Sequence, residues 1–412
     1  MSSPLPSPRP RVALIGVTGY AGIYVEMLRP FVKQGEIELV AAVVINRGDP
    51  AAAAAGVELA SWGARIYDSN EAFFAGETGR AELCLIPTGI AWHARLTIAA
   101  LRAGMHVLVE KPLAGSRVDA AAIRRAELAT GRWVAVGFQD IYSEAAEQLR
   151  SELAFGVLGP VTAVAAFGLW PRPVAYYTRN HWAGRLRADG ADVLDSPLNN
   201  AFAHFVNLAL YFADWNGENE KPTTFREAEL WRANSIETFD TAVVRGRLGN
   251  GVRFWFGFSH ATEDLHDPEI VITGTRGEVR WQHEKHYELV TDTGEFKRVS
   301  MPDAFACRHR MLQAVLERLR RPGAPICDTR VAARHTAFIC DLHAVAQARD
   351  VPAHLVESDP VSDGSAARLT VSGLGAAMRR AFDGRGTLAA TGVFSGEGPA
   401  VATSEVGSRL RE

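Results

Sequence analysis

The tripeptide Glu110-Lys111-Pro112 follows directly on the apolar run His106–Val109. A lysine ending a buried strand can hydrogen-bond a reacting hydroxyl and lower that group's proton affinity, a setting unlike that of a surface lysine. A second chemical group is His204, in the otherwise apolar stretch Ala203–Phe212. Imidazole titrates near neutral pH and suits a general acid or base, although a lone histidine on an apolar helix is more often a satisfied core side chain. The third feature is Gly16-Val17-Thr18-Gly19-Tyr20-Ala21-Gly22, placed after the apolar run Val12–Ile15. Strand, glycine-rich turn and helix together form the context of a dinucleotide-binding loop, where main-chain N–H groups at a helix start receive a pyrophosphate. The spacing G-x-x-G-x-x-G has one residue more between its first two glycines than the usual pattern, and glycines at such turns also serve purely structural needs.

About 20 residues further on, dinucleotide binders carry an acidic residue for the ribose 2′-hydroxyl. Here the chain reads Val44-Ile45-Asn46-Arg47. With no carboxylate to repel a 2′-phosphate and Arg47 able to pair with one, NADP(H) is favoured and NAD(H) stays open. The plain alternative for Arg47 is a solvated loop residue. Further along, Tyr176-Tyr177-Thr178-Arg179-Asn180-His181-Trp182 mixes rings and polar groups in a loop. Rings there stack on a sugar face while Arg179 binds hydroxyls or a carboxylate, with Trp182 as the ring to expect; a packed loop with surface charges is the other reading. His283 with His286, and His260 with Glu263, Asp264 and His266, lack the full ligand set of a zinc site, so no metal is expected.

The elements that must position these groups change character along the chain. The short apolar runs Val12–Ile15, Ile37–Ile45, Leu83–Ile86, His106–Val109 and Trp133–Val136 alternate with helical stretches such as Ile90–Gly104 and Arg117–Thr130. Nearly continuous apolar strands between helices predict a parallel sheet covered on both faces. After Gly159 the strands Val161–Phe167, Glu227–Trp231, Thr241–Leu248, Val252–Phe258, Ile270–Ile272 and Glu278–Trp281 follow with few helices between them, which predicts a mostly antiparallel, meander-like sheet. The expected fold class is therefore α/β: a dinucleotide-binding domain over residues 11–139, then a substrate-binding and oligomerisation domain over 140–385. Residues 1–10 and 386–412 are expected to be flexible termini. On Val252–Phe258 the residues Val252, Phe254, Phe256 and Phe258 share one face, expected to pack on helices. Trp255 lies on the other, and with Trp231 and Trp281 predicts an aromatic subunit interface.

Of 412 residues, 47% are apolar and 22% charged, with a net charge of −3. That balance gives no reason to expect nucleic acid or an anionic membrane as partner. The four cysteines, Cys84, Cys307, Cys327 and Cys340, show no metal or redox spacing and fit a reducing compartment. The Ser/Pro-rich start has no apolar stretch of a signal peptide and no run approaches a membrane span, so the cytoplasm is expected.

The stretch Cys84-Leu-Ile-Pro87-Thr88-Gly-Ile-Ala-Trp-His93, continued by Ala103-Gly104-Met-His-Val-Leu-Val109-Glu110-Lys111-Pro112-Leu113-Ala114, resembles the glucose–fructose oxidoreductase/inositol dehydrogenase (Gfo/Idh/MocA) family. The resemblance runs from about Arg11 to Phe382. It implies a Rossmann domain followed by an open-faced α/β domain. It implies cofactor contacts from Gly16, Thr18, Gly19, Tyr20, Ala21, Asn46, Arg47, Pro87, Thr88, His93, Glu110 and Lys111. Lys111 would touch both substrate and cofactor, and the Lys111–Pro112 bond is expected cis.

The family's second signature, roughly Asp-x-Gly-x-His-x-x-Asp, maps onto Asn200-Ala201-Phe202-Ala203-His204-Phe205-Val206-Asn207. His204 holds the histidine's place, implying the acid/base that takes the hydroxyl proton. Asn200 and Asn207 replace both carboxylates, so the substrate is not inherited from hexose or inositol dehydrogenases. Asp195 is a candidate for the missing charge, or equally for a helix cap. The implied substrate contacts are Lys111, Arg179, Trp182, Asn200 and His204. The implied function is an NAD(P)-dependent oxidoreductase acting on a secondary alcohol or ketone of a sugar, sugar derivative or cyclitol, in a homodimer or homotetramer built through the second-domain sheet. Lyase or glycosidase-type chemistry through transient oxidation, and a non-catalytic ligand-binding regulator, are the alternatives.

Overall fold

A computed structural model describes residues 9–214, 221–359 and 367–394. Two compact units divide the chain: Met1–Tyr142 with Phe305–Ala332, and Ser143–Ala304 with Ala333–Glu412. Among the described residues no helix is long and apolar enough to cross a membrane.

In the first unit six strands are all parallel: β1 (Arg11–Ile15), β2 (Glu38–Val43), β3 (Arg65–Tyr67), β4 (Leu83–Ile86), β5 (His106–Val109) and β6 (Val134–Val136). Their order is β3-β2-β1-β4-β5-β6. The apolar runs become strands because helices cover both faces and leave no solvated side to alternate with. Helices Ala21–Lys33, Pro50–Ser61, Asn70–Glu77, Ile90–Arg102 and Arg117–Thr130 make the crossovers. Asp49, Ser69 and Ser116 cap three of them by accepting main-chain N–H bonds, each worth about 1 kcal/mol. Strand order reverses between β1 and β4, and open α/β sheets bind ligands beyond the carboxyl ends of the strands at such a point.

One segment departs from the expected contiguous domains. Phe305–Ala332, expected within residues 140–385, belongs to the first unit. The helix Ala304–Arg320 sets His309 against Phe31 of the first crossover helix, ring centroids 4.6 Å apart. Cys327 O then accepts the Val136 N–H at 2.9 Å, and Ala135 bridges Asp328, so the returning chain covers the edge of β6. An edge left open would present unpaired main-chain groups.

The second unit is built on a nine-stranded sheet. After β7 (Val161–Leu169) comes the short hairpin β8 (Arg187–Ala188) and β9 (Ala191–Asp192), then β10 (Thr224–Arg232), β11 (Thr241–Arg247), β12 (Arg253–Ser259), β13 (His266–Gly274), β14 (Gly277–Gln282), β15 (His286–Thr291), β16 (Phe296–Ser300) and β17 (Arg349–Asp350). The sheet order is β16-β15-β14-β13-β7-β12-β11-β10-β17. All pairings are antiparallel except β7 with β12 and β10 with β17. On one face Phe254 and Phe256 pack against Phe338 of the helix Thr329–Val345, and Phe258 stacks on Phe202. This is the helix-covered face the alternation predicts.

The other face corrects two expectations. Trp255 and Trp231 are only 2% and 3% exposed, because the chain itself covers them. Helix Leu374–Gly384 and residues 386–394 lie over them, with the Phe394 ring tilted against Trp231 at 4.1 Å and Gly386 O accepting the Trp255 indole N–H at 2.7 Å. Glu229 accepts N–H bonds from Leu388 and Ala389 at 2.6 and 2.8 Å. Residues 386–394 are therefore packed structure rather than flexible terminus, while 1–8 and 395–412 lie outside the described residues. Trp281 belongs to the opposite face, against Phe212, since its row runs through Ile270 and Ala166 to Phe256. The uncovered part of the outer face is a cleft of about 470 Å³ whose lining includes Arg226, Arg247 and Arg253.

Candidate cofactor and substrate sites

The glycine-rich turn leaves β1 at its carboxyl end, beside β4. Gly16 and Gly19 take φ of +95° and +60°, the left-handed region that glycine enters without strain. A Cβ on Gly16 would stand 3.7 Å from both Ala21 Cβ and Thr88 Cγ2, so the loops after β1 and β4 meet here. Ala21 N–H closes the turn on Thr18 O, and Gly22 N–H on Gly19 O. Among the described residues, no protein acceptor takes the N–H groups of Thr18, Gly19 or Tyr20, which line an exposed turn. The helix Ala21–Lys33 starts without a side-chain cap. Free N–H groups at an uncapped helix start form a cradle for phosphate oxygens. The buried Thr88 hydroxyl, which has no partner, adds a further polar group at the same place. These groups fit the pyrophosphate of a dinucleotide.

Asn46 and Arg47 follow β2 on an exposed turn. Asp49, the nearest carboxylate in sequence, is engaged in capping the next helix through Ala51 and Ala52 N–H. Arg47 donates one Nη to Ile66 O at 3.1 Å and pairs with no carboxylate among the described residues.

Beyond β5 the geometry separates residues that the resemblance grouped together. The Lys111–Pro112 bond is cis. Glu110, 4% exposed, accepts the Tyr24 hydroxyl at 2.7 Å on Oε1 and the Lys111 N–H at 3.0 Å on Oε2. His93, expected among the cofactor contacts, is fully buried. Its Nδ1 lies 2.7 Å from Pro112 O and its Nε2 3.0 Å from Thr88 O. Burial pushes its pKa down, against the raising effect of those carbonyls. Kept neutral, His93 can donate its single N–H to only one of these two carbonyls, and it packs between the loops that carry Thr88 and Lys111. Glu110 has both oxygens engaged and braces the main chain beneath Lys111. Tyr24 was not singled out from the sequence; the signal available was a polar ring on the buried face of an otherwise apolar helix. Pro87 is buried.

In the second unit, helix Ala203–Ala213 is buried along almost its whole length, and His204 is the half-exposed side chain of its first turn. Asn200, just before the helix, donates Nδ2 to Asp195 Oδ1 at 2.7 Å. Asp195 Oδ2 accepts the Gly184 N–H at 2.6 Å. The buried carboxylate therefore stands behind Asn200 and does not cap the helix, whose start has no side-chain cap. Asn207 is buried, and neither of its amide atoms has a partner.

Trp170 stacks on Phe202 at 4.8 Å and meets Phe205 edge-on at 5.6 Å, so the residues flanking His204 form one wall with the end of β7. Arg172 lies over Trp170 and Tyr176, and Arg179 lies over Tyr176 and Trp182. Arg179 and Trp182 are the residues expected from the sequence, Tyr176 lies in the same expected loop, and Arg172, outside it, contributes as much to this ladder. His260 stacks on Phe202 at 5.2 Å; burial, reinforced by Arg172 and Arg179, pushes its pKa down to about 3. His283 meets Trp170 and Phe205 edge-on.

Residues 10–138 match the family described as "Oxidoreductase family, NAD-binding Rossmann fold", GFO_IDH_MocA. The likeness to the Gfo/Idh/MocA oxidoreductases thus lies in the residues that carry the parallel sheet. The chain is 34% identical over 160 residues to D-xylose 1-dehydrogenase (NADP(+)) 2 of Haloferax volcanii, covering 38% of this chain and 47% of that one. It is 30% identical over 163 residues to dTDP-3,4-didehydro-2,6-dideoxy-alpha-D-glucose 3-reductase of Streptomyces violaceoruber, covering 39% and 46%. The matches thus span about half the length of these relatives. The fold extends further: the WlbA dehydrogenase of Bordetella pertussis, solved with NADH and UDP-GlcNAcA, superposes with a TM-score of 0.64 at 22% identity, over 82% of this chain and 96% of that one.

Proposed function

We propose that the protein is an NADP(H)-favouring oxidoreductase acting on a secondary alcohol or ketone of a sugar, sugar derivative or cyclitol. The observation that carries this reading is the open N–H cradle of Thr18, Gly19 and Tyr20 meeting Thr88, in the same unit as Lys111. Gly16, Thr18, Gly19, Tyr20 and Thr88 would hold the pyrophosphate, and Arg47 the 2′-phosphate. The bound nicotinamide would supply hydride acceptance or donation. The chain's own part is proton handling and orientation. Lys111 Nζ hydrogen-bonds the substrate oxygen, and His204 takes the hydroxyl proton as the C–H bond breaks. Asn200, held by Asp195, orients His204's surroundings and a substrate hydroxyl. His93, Glu110 and Tyr24 keep Lys111 in place.

The first unit would carry the cofactor and the second the substrate. Self-association into a dimer or tetramer through the uncovered sheet face belongs to the same proposal, with Val290 and Phe296, 46% and 59% exposed, as its apolar contacts. Size-exclusion chromatography with light scattering tests that part, a strict monomer refuting it. Free cysteines accord with a cytoplasmic setting.

Lys111→Ala should abolish turnover across a panel of sugars and cyclitols followed at 340 nm, while NADPH still binds. Full activity in that variant refutes the assignment. Arg47→Glu should weaken NADPH relative to NADH by roughly ten- to a hundred-fold, the scale of one charge-assisted hydrogen bond. Tighter NADH than NADPH binding in the unaltered protein overturns the cofactor preference.

A further inference from the structure

Two guanidinium groups flank one phenol ring in the substrate wall. Arg179 Cζ lies 3.7 Å from the Tyr176 ring centroid and Arg172 Cζ 5.1 Å from it. Trp170 and Trp182 hold the outer sides, at 5.7 and 5.2 Å. Stacking on rings fixes the plane of a guanidinium but leaves its N–H edge free to donate. Arg179 uses one Nη on Tyr176 O. Arg172 Nε is buried and has no acceptor.

The carboxylates around the pair make their hydrogen bonds and ion pairs with other groups. Asp195, which senses the same Tyr176 ring, gives its oxygens to Asn200 and Gly184. Glu237 pairs with Arg185, and Asp189 with His181. Among the described residues neither Arg172 nor Arg179 has an acidic partner. The adjacent His260 is held neutral, with its Nδ1 at 2.8 Å from Trp170 O. Hydrogen bonds from an amide and a main-chain N–H do not cancel a carboxylate's charge, so two guanidinium groups face the one Asp195 carboxylate beside this ring, and an incoming anion balances the remaining positive charge while engaging the open donor edges.

Resting on the reading of this wall as the substrate side, we propose that Arg172 and Arg179 select an anionic substrate, a sugar or cyclitol derivative bearing a carboxylate or phosphate. Arg172 is the anchor, because it stacks against two rings and its Nη groups have no protein acceptor among the described residues. A planar carboxylate can engage that edge in a bidentate pair, and a phosphate offers the same two oxygens with a third for Arg179.

The test is calorimetric titration of the full chain, without turnover, using D-glucuronate, D-galacturonate and D-glucose 6-phosphate beside neutral D-glucose and D-galactose. At least one anion should bind about ten-fold or more tightly than its neutral parent, the scale of one charge-assisted pair. Uronates alone showing the preference would identify a carboxylate, and the phosphate alone a phosphoester. Arg172→Gln should abolish the preference, Arg172→Lys should keep part of it, and Arg179→Gln should reduce it. A melting temperature near that of the unaltered chain certifies the variants as folded. Parents binding as well as all the anions, or an unchanged preference in folded Arg172→Gln, overturns the proposal. Those outcomes leave NADPH binding and the Lys111→Ala result untouched, so this selectivity can fail while the oxidoreductase reading stands.

Discussion

The Tyr24 hydroxyl donates to Glu110 Oε1 across 2.7 Å, and both groups are buried. The other carboxylate oxygen takes the N–H of Lys111, so a ring on the first crossover helix fixes the main chain beneath the candidate catalytic lysine. Removing the hydroxyl with Tyr24→Phe leaves a buried carboxylate oxygen short of a donor. The expected loss is about 1–3 kcal/mol in urea unfolding. Because the two side chains share one bond, Tyr24→Phe combined with Glu110→Gln should cost less than the sum of the single changes. Additive losses would mean that the bond contributes nothing to holding this loop.

Gly137 makes the same arrangement possible from the other side. A Cβ there would stand 2.7 Å from Glu110 Oε1 and 3.2 Å from Glu110 Cα. The second contact involves main chain, which cannot swing away. Gly137→Ala should therefore destabilise by about 1–3 kcal/mol, the usual scale of overpacking, and lower turnover more than NADPH affinity. A variant as stable as the original, with unchanged kcat, contradicts this account.

What could be read from the sequence divides along physical lines. Five of the six parallel strands stand out because burial on both faces leaves a continuous apolar signature; β3 escapes notice because three residues carry no periodicity. Lys111 and His204 are visible because a charged or titratable group interrupts an apolar run. The internal partners of His93 and Glu110 are not visible, since a residue that packs against a loop and one that touches a ligand occupy the same motif. Long-range pairing was equally hidden. Nothing near Cys327 announces that it will cover β6, and Trp255 looked like an interface residue because its cover lies more than a hundred residues downstream.

His260 makes folding stability depend on pH. Its pKa is pushed down to about 3 in the folded chain, first by burial and then by Arg172 and Arg179, against about 6.5 unfolded. The folded protein keeps this ring neutral while the unfolded chain takes up a proton below pH 6.5. Stability from this group is therefore complete above that value and declines as pH falls from about 6.5 toward 3, with a limiting slope of ~1.4 kcal/mol per unit. His106 and His343, pushed down to about 4 by burial, act in the same direction. His260→Phe, which keeps a ring against Phe202, should flatten the fall in unfolding free energy between pH 6 and 4. Parallel curves for the two proteins would show that His260 does not titrate on unfolding.

The segment after Gly384 supplies the last test, because it converts an expected tail into part of the fold. Phe394, 3% exposed, covers Trp231, and Leu388 is fully buried with its N–H on Glu229. Cutting away either side chain opens the outer sheet face around two tryptophans. Phe394→Ala should lower stability by about 3 kcal/mol and Leu388→Ala by about 2–4 kcal/mol, within the range for emptying a buried site. Both should red-shift tryptophan emission as water reaches Trp231 and Trp255. Newly exposed rings on a sheet face also favour association, so light scattering of Phe394→Ala should rise with concentration. Wild-type stability and emission in both variants would restore the flexible terminus that the composition suggests.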